Sequence, residues 1–168
     1  LSHLVNVELR DYRNLDAEYD AIVSVEMIEA VGEKYWATYF NAIIKHLKQG
    51  KRFGLQAITM PHDRMLASKH AYTWIHKYIF PGGIIPSREV IDQYTKSEMS
   101  LVDSRSLGMD YAYTLKLWRD RFMANYEKVK ELGFDDTFVR MWQYYLAYSE
   151  AGFRAKHLEV WQLGFEKK

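Results

Sequence analysis

Ala21-Ile22-Val23-Ser24-Val25 is a short, continuous apolar run rich in β-branched residues. Such a run is typical of a central parallel strand that is covered on both faces. Apolar residues at the spacing of one helix face follow it: Trp36, Tyr39, Phe40, Ile43 and Leu47. Gly50 stands where a helix C-cap belongs, and Phe53–Ile58 is a second strand candidate. This strand, helix and strand predict a βαβ unit and an α/β fold.

The flanking sequence continues the alternation of strands and helices. Val5, Val7 and Leu9 alternate with polar residues, which predicts a half-buried strand ahead of the apolar run. Further predictions are a helix over 71–79, a short helix capped by Ser87, strands over 101–107 and 158–165, and helices around 110–131 and 136–151. Because no repeat or linker interrupts the pattern, we expect one continuous α/β domain.

Composition excludes several classes of protein. The 168 residues have room for one domain, and 23 basic against 22 acidic residues give no reason to expect a nucleic-acid partner. With no cysteine, a disulfide scaffold and a thiolate nucleophile are excluded. The six histidines lack metal-ligand spacing, so we expect no metal site. The first residues lack the pattern of a signal peptide, and no apolar run reaches the roughly 18 residues that cross a bilayer.

Aromatic residues make up 15% of the chain. They fit either a bulky core or a pocket for a long apolar or π-rich ligand. Ligands of a parallel sheet bind beyond the carboxyl ends of its strands, and this rule selects Asp11–Arg13, Glu26–Gly32 and Gln56–Met60. Glu26 and Glu29 are either functional carboxylates or ordinary acids of a helix N-terminus. From the residues alone, we predict an α/β domain with a small-molecule site.

Five segments, spread along the whole chain, carry a resemblance to a known family. They are Asp11–Arg13, Tyr19–Gly32, Lys77–Ser87, Leu107–Tyr111 and Gly152–Gln162. In order and spacing, these segments resemble the cyclopropane-fatty-acyl-phospholipid synthase family, whose members are class I S-adenosylmethionine-dependent methyltransferases. The phrase Lys77–Ser87 is long enough to be specific.

The resemblance implies a Rossmann-like class I methyltransferase sheet with strand order 3-2-1-4-5-7-6 and an added helical, lipid-covering region, here about 62–100. Residues 1–168 would be the C-terminal portion of a single methyltransferase domain that lacks its first two strands. The implied enzyme transfers a methyl group to the cis double bond of an unsaturated phospholipid acyl chain. The product is a cyclopropane, or a methyl- or methylene-branched, fatty acid.

The resemblance also implies the site residues. Glu29, Ile58 and Tyr111 match residues that hold a bicarbonate ion in the family, and Gln56 stands where the family has a histidine. Asp11, Tyr12 and Arg13 are implied to bind the co-substrate, S-adenosylmethionine.

Further departures from the family are Ser149, where a cysteine is common, and Glu26–Ala30, which differs from the usual G-[MA]-F-E-H form. The changes at Gln56 and Ser149 place ring closure in question, since a glutamine cannot carry the charge of a histidine. A methyl or methylene product therefore remains open.

The expected setting is the cytoplasm, peripheral to a membrane, with phospholipid acyl chains as partner; a homodimer is left open. We expect a missing N-terminal cofactor-binding segment, and weak or no S-adenosylmethionine binding by residues 1–168 alone. One alternative is a non-catalytic fragment or acyl-binding module that needs a separate cofactor-binding chain. Another is a small-molecule N-methyltransferase.

Overall fold

The computed structural model describes residues 2–168. Its strands are β1 Tyr19–Val25, β2 Leu47–Thr59, β3 Met99–Ser106 and β4 Glu159–Lys167. Its α-helices are α1 Ile28–Val31, α2 Trp36–His46, α3 His62–Ser68, α4 Trp74–Tyr78, α5 Arg88–Thr95, α6 Gly108–Ala124, α7 Tyr126–Glu131 and α8 Asp136–Arg154. Short 3-10 turns lie at Ser2–Leu4, Tyr12–Asn14 and Glu33–Tyr35. The predicted α/β class is confirmed.

The four strands of the described residues form one sheet in the order β1-β2-β4-β3. β1 and β2 are parallel and are joined through α2, as the predicted βαβ unit requires. β4 is antiparallel to both β2 and β3. This order corresponds to the 4-5-7-6 section of the sheet that the resemblance implies. The strands predicted over 101–107 and 158–165 are confirmed as β3 and β4.

The strand predicted at Val5, Val7 and Leu9 is wrong. These residues have no regular secondary structure, and Val7 and Leu9 are 89% and 110% exposed. Alternation of apolar and polar residues is only half of what a strand needs, because its backbone must also pair with a neighbour. Within residues 2–168 no strand pairs with this segment.

Within the described residues β1 lies at an edge of the sheet, although its apolar sequence predicts a central strand that is covered on both faces. Within the described residues it pairs only with β2, and Val23 and Val25 are 72% and 57% exposed. Ile22 and Ser24 point to the other face, where Ser24 is buried. The predicted strand is therefore confirmed, while its predicted central place depends on a neighbouring strand that residues 2–168 do not supply.

The predicted C-cap at Gly50 is also wrong, because α2 ends at His46 and Leu47 already opens β2. Gly50 lies inside β2 with a φ of 66°. Tyr19 pairs with Leu47 and Ala21 with Arg52, so β2 carries extra residues at this point and bulges. A bulge residue with positive φ explains the glycine, since other residues rarely adopt that conformation.

Two apolar cores lie around the sheet. α2 and α5 cover β2 and β4 with a core that contains Trp36, Tyr39, Phe40, Ile43, Phe53, Leu55, Ala57, Ile91, Leu163 and Phe165. A second, smaller core joins α6 and α8 to β4 through Ala112, Leu115, Leu146, Phe153 and Val160. Side chains alternate between the faces of a strand, so β4 contributes to both cores.

Three short helices, α3 to α5, connect β2 with β3 and fall in the region predicted to be helical, about 62–100. Its last residues belong to β3, which begins at Met99. α4 starts later than predicted, at Trp74, because Thr73 and His76 form a capping box there. The predicted cap at Ser87 is confirmed, since its hydroxyl accepts a hydrogen bond from the Val90 N–H at 3.2 Å.

The two predicted long helical stretches are present, but the first is divided at Asn125 into α6 and α7. Asp135 caps the N-terminus of α8, and its carboxylate accepts a hydrogen bond from the Phe138 N–H at 2.8 Å. Among residues 2–168, no helix combines the length and the apolar character needed to cross a bilayer.

Candidate active site

Polar side chains collect where β1 and β2 end. Glu26 directly follows β1, and Gln56 lies near the end of β2. The two are joined through the backbone, because the Glu26 N–H donates to the Gln56 carbonyl at 2.8 Å. The carboxyl ends of parallel strands meet at one edge of a sheet, which is where ligands of such sheets bind.

Glu26 holds an uncommon backbone conformation. Its φ is 49°, in the left-handed region that residues other than glycine rarely adopt. Its Oε1 accepts hydrogen bonds from the Gln56 Nε2, at 2.8 Å, and from the Tyr111 hydroxyl. Strained conformations of this kind cluster at functional sites, where the surrounding structure maintains them.

Tyr111 reaches this cluster from the first turn of α6. Its hydroxyl donates to Glu26 and accepts from the Gln56 Nε2 at 2.7 Å. Burial raises the pKa of the Tyr111 phenol, and its hydrogen bond to the Glu26 carboxylate raises that pKa further. The phenol therefore stays protonated at neutral pH and remains a hydrogen-bond donor.

Gln162 fixes the orientation of Gln56. The two residues are ladder partners in β2 and β4, and the Gln162 Nε2 donates to the Gln56 Oε1 at 2.9 Å. With its carbonyl oxygen occupied in this way, the Gln56 amide turns its nitrogen toward Glu26 and Tyr111. Both of those contacts need the amide in this one orientation.

Glu29, on α1, lies deeper than Glu26. Its Oε1 accepts a hydrogen bond from the Ile58 N–H at 2.6 Å. Its Oε2 is buried and has no hydrogen-bond partner in the described residues. Burial raises the pKa of this carboxyl above its usual range, and the nearby Glu26 carboxylate adds to the effect. Burying a carboxylate oxygen without a hydrogen bond costs free energy, so the Glu29 Oε2 is in a position to interact with a ligand.

Two pairs of aromatic side chains lie beside the cluster. The Tyr111 ring packs against Phe153 at 5.6 Å, and the Phe80 ring packs against Tyr145 at 6.1 Å. Burial raises the pKa of Tyr145, its hydrogen bond with Ser149 opposes that shift, and Glu26 is close enough to add to it. Part of the high aromatic content therefore lies beside the polar cluster.

The Asp11–Arg13 segment forms a separate turn. The Arg13 guanidinium donates to both oxygens of Asp11 and holds the pKa of that carboxyl at about 2. Tyr12 packs edge-on against Tyr39 at 6.0 Å, and the Tyr39 hydroxyl donates to Ser24 of β1 at 2.7 Å. The turn lies beside the carboxyl half of β1. Within residues 2–168, no hydrogen bond or ion pair joins it to the cluster.

The structure brings together four of the predicted site residues, Glu29, Gln56, Ile58 and Tyr111. The contacts of Glu26 and Gln162 within the cluster were not predicted from the sequence. Glu26 was considered, but its position after an apolar strand also fits an ordinary helix-terminal acid. Gln162 is a polar residue between the apolar Trp161 and Leu163, and only its pairing with Gln56 reveals what it contacts.

Solved structures share this architecture. Mycolic acid cyclopropane synthase CmaA1 complexed with SAH and CTAB matches with a TM-score of 0.84, over 95% of this chain and 59% of that chain, at 23% identity. The cyclopropane synthase MmaA2 from Mycobacterium tuberculosis matches with a TM-score of 0.82, over 99% of this chain and 64% of that chain, also at 23% identity. The fold is therefore that of class I methyltransferases.

The chain belongs to the mycolic acid cyclopropane synthetase family, whose model matches residues 1–163. Tuberculostearic acid methyltransferase UfaA1 of Mycobacterium tuberculosis (strain ATCC 25618 / H37Rv) is 53% identical over 95% of this chain and 38% of that protein. Cyclopropane-fatty-acyl-phospholipid synthase of Escherichia coli (strain K12) is 36% identical over 97% of this chain and 41% of that protein. The chain thus spans about two fifths of the length of these relatives.

Proposed function

We propose that the chain forms the lipid-facing part of an S-adenosylmethionine-dependent methyltransferase that acts on the cis double bond of an unsaturated phospholipid acyl chain. The observation that carries the proposal is the cluster of Glu26, Glu29, Gln56 and Tyr111 beside packed aromatic rings. Family membership and the names of the two relatives support the same assignment.

The residue types suit this chemistry. When the π electrons of the double bond attack the donor methyl group, the sulfur–carbon bond breaks and a carbocation forms on the acyl chain. Aromatic and apolar walls exclude the water that would quench that cation, and aromatic faces also attract positive charge. The carboxylates of Glu26 and Glu29 stabilise the same charge, and the half-buried position of Glu29 strengthens its effect.

Glu26 and Tyr111 can also remove the proton that completes the reaction. The phenol oxygen of Tyr111 takes a proton from the new methyl group while the hydroxyl proton of Tyr111 passes to Glu26. The electron pair of the broken C–H bond then forms the third side of the cyclopropane ring. The hydrogen bond between Tyr111 and Glu26 provides the path for this transfer.

Bicarbonate, which the resemblance implies as the base, finds its donors occupied in this chain. The Ile58 N–H is bonded to Glu29, and both the Tyr111 hydroxyl and the Gln56 Nε2 are bonded to Glu26. A third negative charge beside two carboxylates is also unfavourable. We therefore assign the proton-accepting role to Glu26 and derive no step through bicarbonate.

S-adenosylmethionine is the proposed methyl donor, and its sulfonium supplies the methyl group that is transferred. We assign the Asp11–Arg13 turn to its binding because the turn packs against α2 beside the carboxyl half of β1. Tyr12 offers a half-buried ring there, while Asp11 and Arg13 hold each other. This assignment gives the co-substrate a place on the same edge of the sheet as the cluster.

A branched product is the second candidate. It is favoured by the 53% identity to a protein named as a methyltransferase rather than a cyclopropane synthase. The cation is the same in both cases, and for a methylene branch only the fate of the proton and of the C–H electron pair differs. Mass spectrometry of lipids from cells that express the protein detects one added CH2 unit for a ring or a methylene branch, and two further hydrogens for a saturated methyl branch, which needs a separate reductant. Fragmentation of the modified acyl chain separates a ring from a branch.

Glu29→Gln tests the proposed function. We expect product formation by the complete protein to fall by about 100-fold or more, because a positioned carboxylate is lost from the reacting centre. S-adenosylmethionine binding, measured by calorimetry, should be unchanged. Glu131→Gln, which removes an exposed carboxylate on α7, is the matched control. Wild-type turnover by Glu29→Gln would contradict the role of this residue.

The same measurements separate the alternative functions. If the complete protein failed to bind S-adenosylmethionine, an acyl-binding module would replace the enzyme assignment. If cofactor bound but no lipid gained a CH2 unit, the lipid substrate would be wrong and a small-molecule N-methyltransferase would be favoured.

A further inference from the structure

The segment from Arg64 to Arg88 has an unusual charge pattern. It contains four basic residues, Arg64, Lys69, Lys77 and Arg88, and neither aspartate nor glutamate, in a chain that has 22 acidic residues in 168. Two of the four are engaged elsewhere, because Lys69 pairs with Glu33 at 2.6 Å and Arg88 stacks on Trp161 at 4.6 Å. Within residues 2–168, Arg64 and Lys77 make no ion pair. Their positive charge is therefore presented to solvent.

Exposed aromatic rings accompany these charges. Tyr72, Tyr78 and Phe80 of the segment are exposed, as are Tyr144 and Tyr148 of α8. Trp74 joins the two groups, since its ring lies 4.9 Å from Tyr144 and 5.9 Å from Tyr78. We call the following residues the aromatic-basic surface: Tyr72, Trp74, Lys77, Tyr78, Phe80, Tyr144 and Tyr148.

The aromatic-basic surface adjoins the candidate active site. The Ile84 N–H donates to the backbone carbonyl of Glu29 at 2.9 Å, so the end of the segment is anchored at the site. Phe80 belongs to the surface and also packs against Tyr145, whose pKa responds to Glu26. A ligand that crosses this surface would thus arrive next to the carboxylates.

We propose that the aromatic-basic surface docks on the surface of an anionic phospholipid bilayer and delivers the acyl chain to the site. The inference rests on the proposed function and names the partner that presents the substrate. Tyrosine and tryptophan favour the bilayer interface, where the ring meets apolar chains and the polar tip meets water. The cation Lys77, which lies over the Tyr78 ring, adds electrostatic attraction to anionic headgroups.

An acidic protein is the competing partner for a basic surface. The bilayer is favoured because the five exposed aromatic side chains of the surface accompany one cation, Lys77, that makes no ion pair within residues 2–168. A protein partner that recognised the surface mainly by charge would need the reverse proportion. Lys77 also lies over the Tyr78 ring, at 4.9 Å, so charge and ring act as one unit at the interface.

Vesicle binding by the complete protein tests the proposal. Tyr72→Ser combined with Lys77→Glu should weaken binding to phosphatidylglycerol vesicles about tenfold or more in co-sedimentation, because an interfacial ring and a cation are lost. Leu132→Ser combined with Lys128→Glu is the matched control on α7 and its C-terminal end. It makes the same changes of charge and polarity, and Leu132 and Tyr72 are both 77% exposed. The control should bind within about twofold of wild type.

Two further measurements, with phosphatidylcholine vesicles and with polyglutamate, decide between the explanations. Wild-type protein should bind neutral phosphatidylcholine vesicles about tenfold more weakly than phosphatidylglycerol vesicles. Equal loss of phosphatidylglycerol binding in the test and control variants would overturn the proposal, as would unchanged binding in the test variant. If the test variant lost binding to polyglutamate but still bound vesicles, the surface would be assigned to an acidic protein, and the proposal would also be overturned.

Failure of the docking surface can be told apart from failure of the proposed function. Glu29→Gln should bind vesicles like wild type while it loses methyl transfer. The Tyr72→Ser and Lys77→Glu variant should still methylate detergent-dispersed phospholipid, because its catalytic residues are intact. Vesicle binding without any methyl transfer by the wild-type protein would contradict the proposed function and leave the docking surface supported.

Discussion

Glu29 places a carboxylate in a half-buried position where only one of its oxygens is hydrogen-bonded. A charge in such a position costs stability, since only backbone N–H groups, those of Glu29 itself and of Ile58, offset its desolvation. The raised pKa of Glu29 expresses that cost. A residue that lowers stability while it faces neighbouring ionisable groups is typical of an active site.

The first prediction concerns how stability depends on pH. The pKa of Glu29 in the folded protein lies above its usual value of 4.5, so the folded state binds this proton more tightly than the unfolded state does. The free energy of unfolding therefore falls as pH rises from about 4.5 through the folded-state pKa. Glu29→Gln cannot titrate, so its stability relative to wild type should increase across that window.

Urea unfolding at a series of pH values measures this difference. Glu131→Gln is the control, because it removes an exposed carboxylate. A stability difference between Glu29→Gln and wild type that stays constant from acidic to neutral pH would contradict the prediction.

Two substitutions of Glu26 separate the cost of its backbone strain from the role of its carboxylate in the reaction. A left-handed conformation costs a residue other than glycine about 1 kcal/mol, whereas glycine adopts it freely. We expect Glu26→Gly to be as stable as wild type or more stable by up to about 1 kcal/mol, and to lose activity by about 100-fold. Glu26→Gln keeps the strain and should lose activity without gaining stability. Thermal unfolding and product formation, measured on both variants, test this.

Retained turnover in both Glu26 variants would remove this residue from the proposed proton path. A fall in stability for Glu26→Gly alone would mean that the contacts with Gln56 and Tyr111 outweigh the backbone strain.

α6 and α8 are held together by a buried acidic residue as well as by their apolar core. Glu150 of α8 is buried and pairs with Arg119 of α6 at 2.7 Å and with Arg154 at 2.8 Å. Removing one partner of a buried ion pair leaves the opposite charges uncompensated. The arginines are partly exposed here, which reduces that cost.

We therefore expect Glu150→Ala to lower the free energy of unfolding by about 2 kcal/mol. Glu127→Ala on α7 is the control, since it is exposed, and we expect a change within about 0.5 kcal/mol. Chemical denaturation of both variants measures the two values. Similar values for the two variants would show that the α6–α8 contact depends on apolar packing alone.

The elements of this fold could be predicted from the sequence where local patterns decide. The face of α2, the cap at Ser87 and the strands β2, β3 and β4 were all predicted from spacing and capping residues. Gly50 and Val5 to Leu9 were not predicted correctly, because their conformations depend on which strand lies alongside. A local sequence pattern does not show which distant strand a segment pairs with.

In the candidate site, too, some residues could be predicted from the sequence and some contacts could not. The strand-end rule selected the segments that contain Glu29, Gln56 and Ile58, but only the family resemblance singled out these residues and Tyr111, and the structure brings them together. The part played by Gln162 could not be found from the sequence, because it depends on a β2–β4 ladder that joins residues far apart in the chain. The contact of Glu26 with Tyr111 depends likewise on how α6 packs over the sheet.

The whole sheet has two different edges within residues 2–168. β3 forms one edge and carries Asp103 and Arg105, charges of the kind that protect natural edge strands. β1 forms the other, and its second half, Ile22 to Val25, is uncharged and β-branched apart from Ser24. An edge of that composition pairs readily with another strand, whether from the same polypeptide or from a second copy.

The polypeptide of residues 1–168, expressed by itself, should therefore self-associate through β1. Val23→Lys should raise its monomer fraction in sedimentation equilibrium, because a lysine on an edge strand disfavours strand addition. Val102→Lys on β3 is the matched control, since Val102 is also exposed but lies on the edge that already carries charges. We expect the control to leave the monomer fraction unchanged. If both lysines raised the monomer fraction equally, their effect would be general charge repulsion, and association through the β1 edge would not be supported. A wild-type polypeptide that is monomeric at all concentrations would show that β1 does not pair with a second copy.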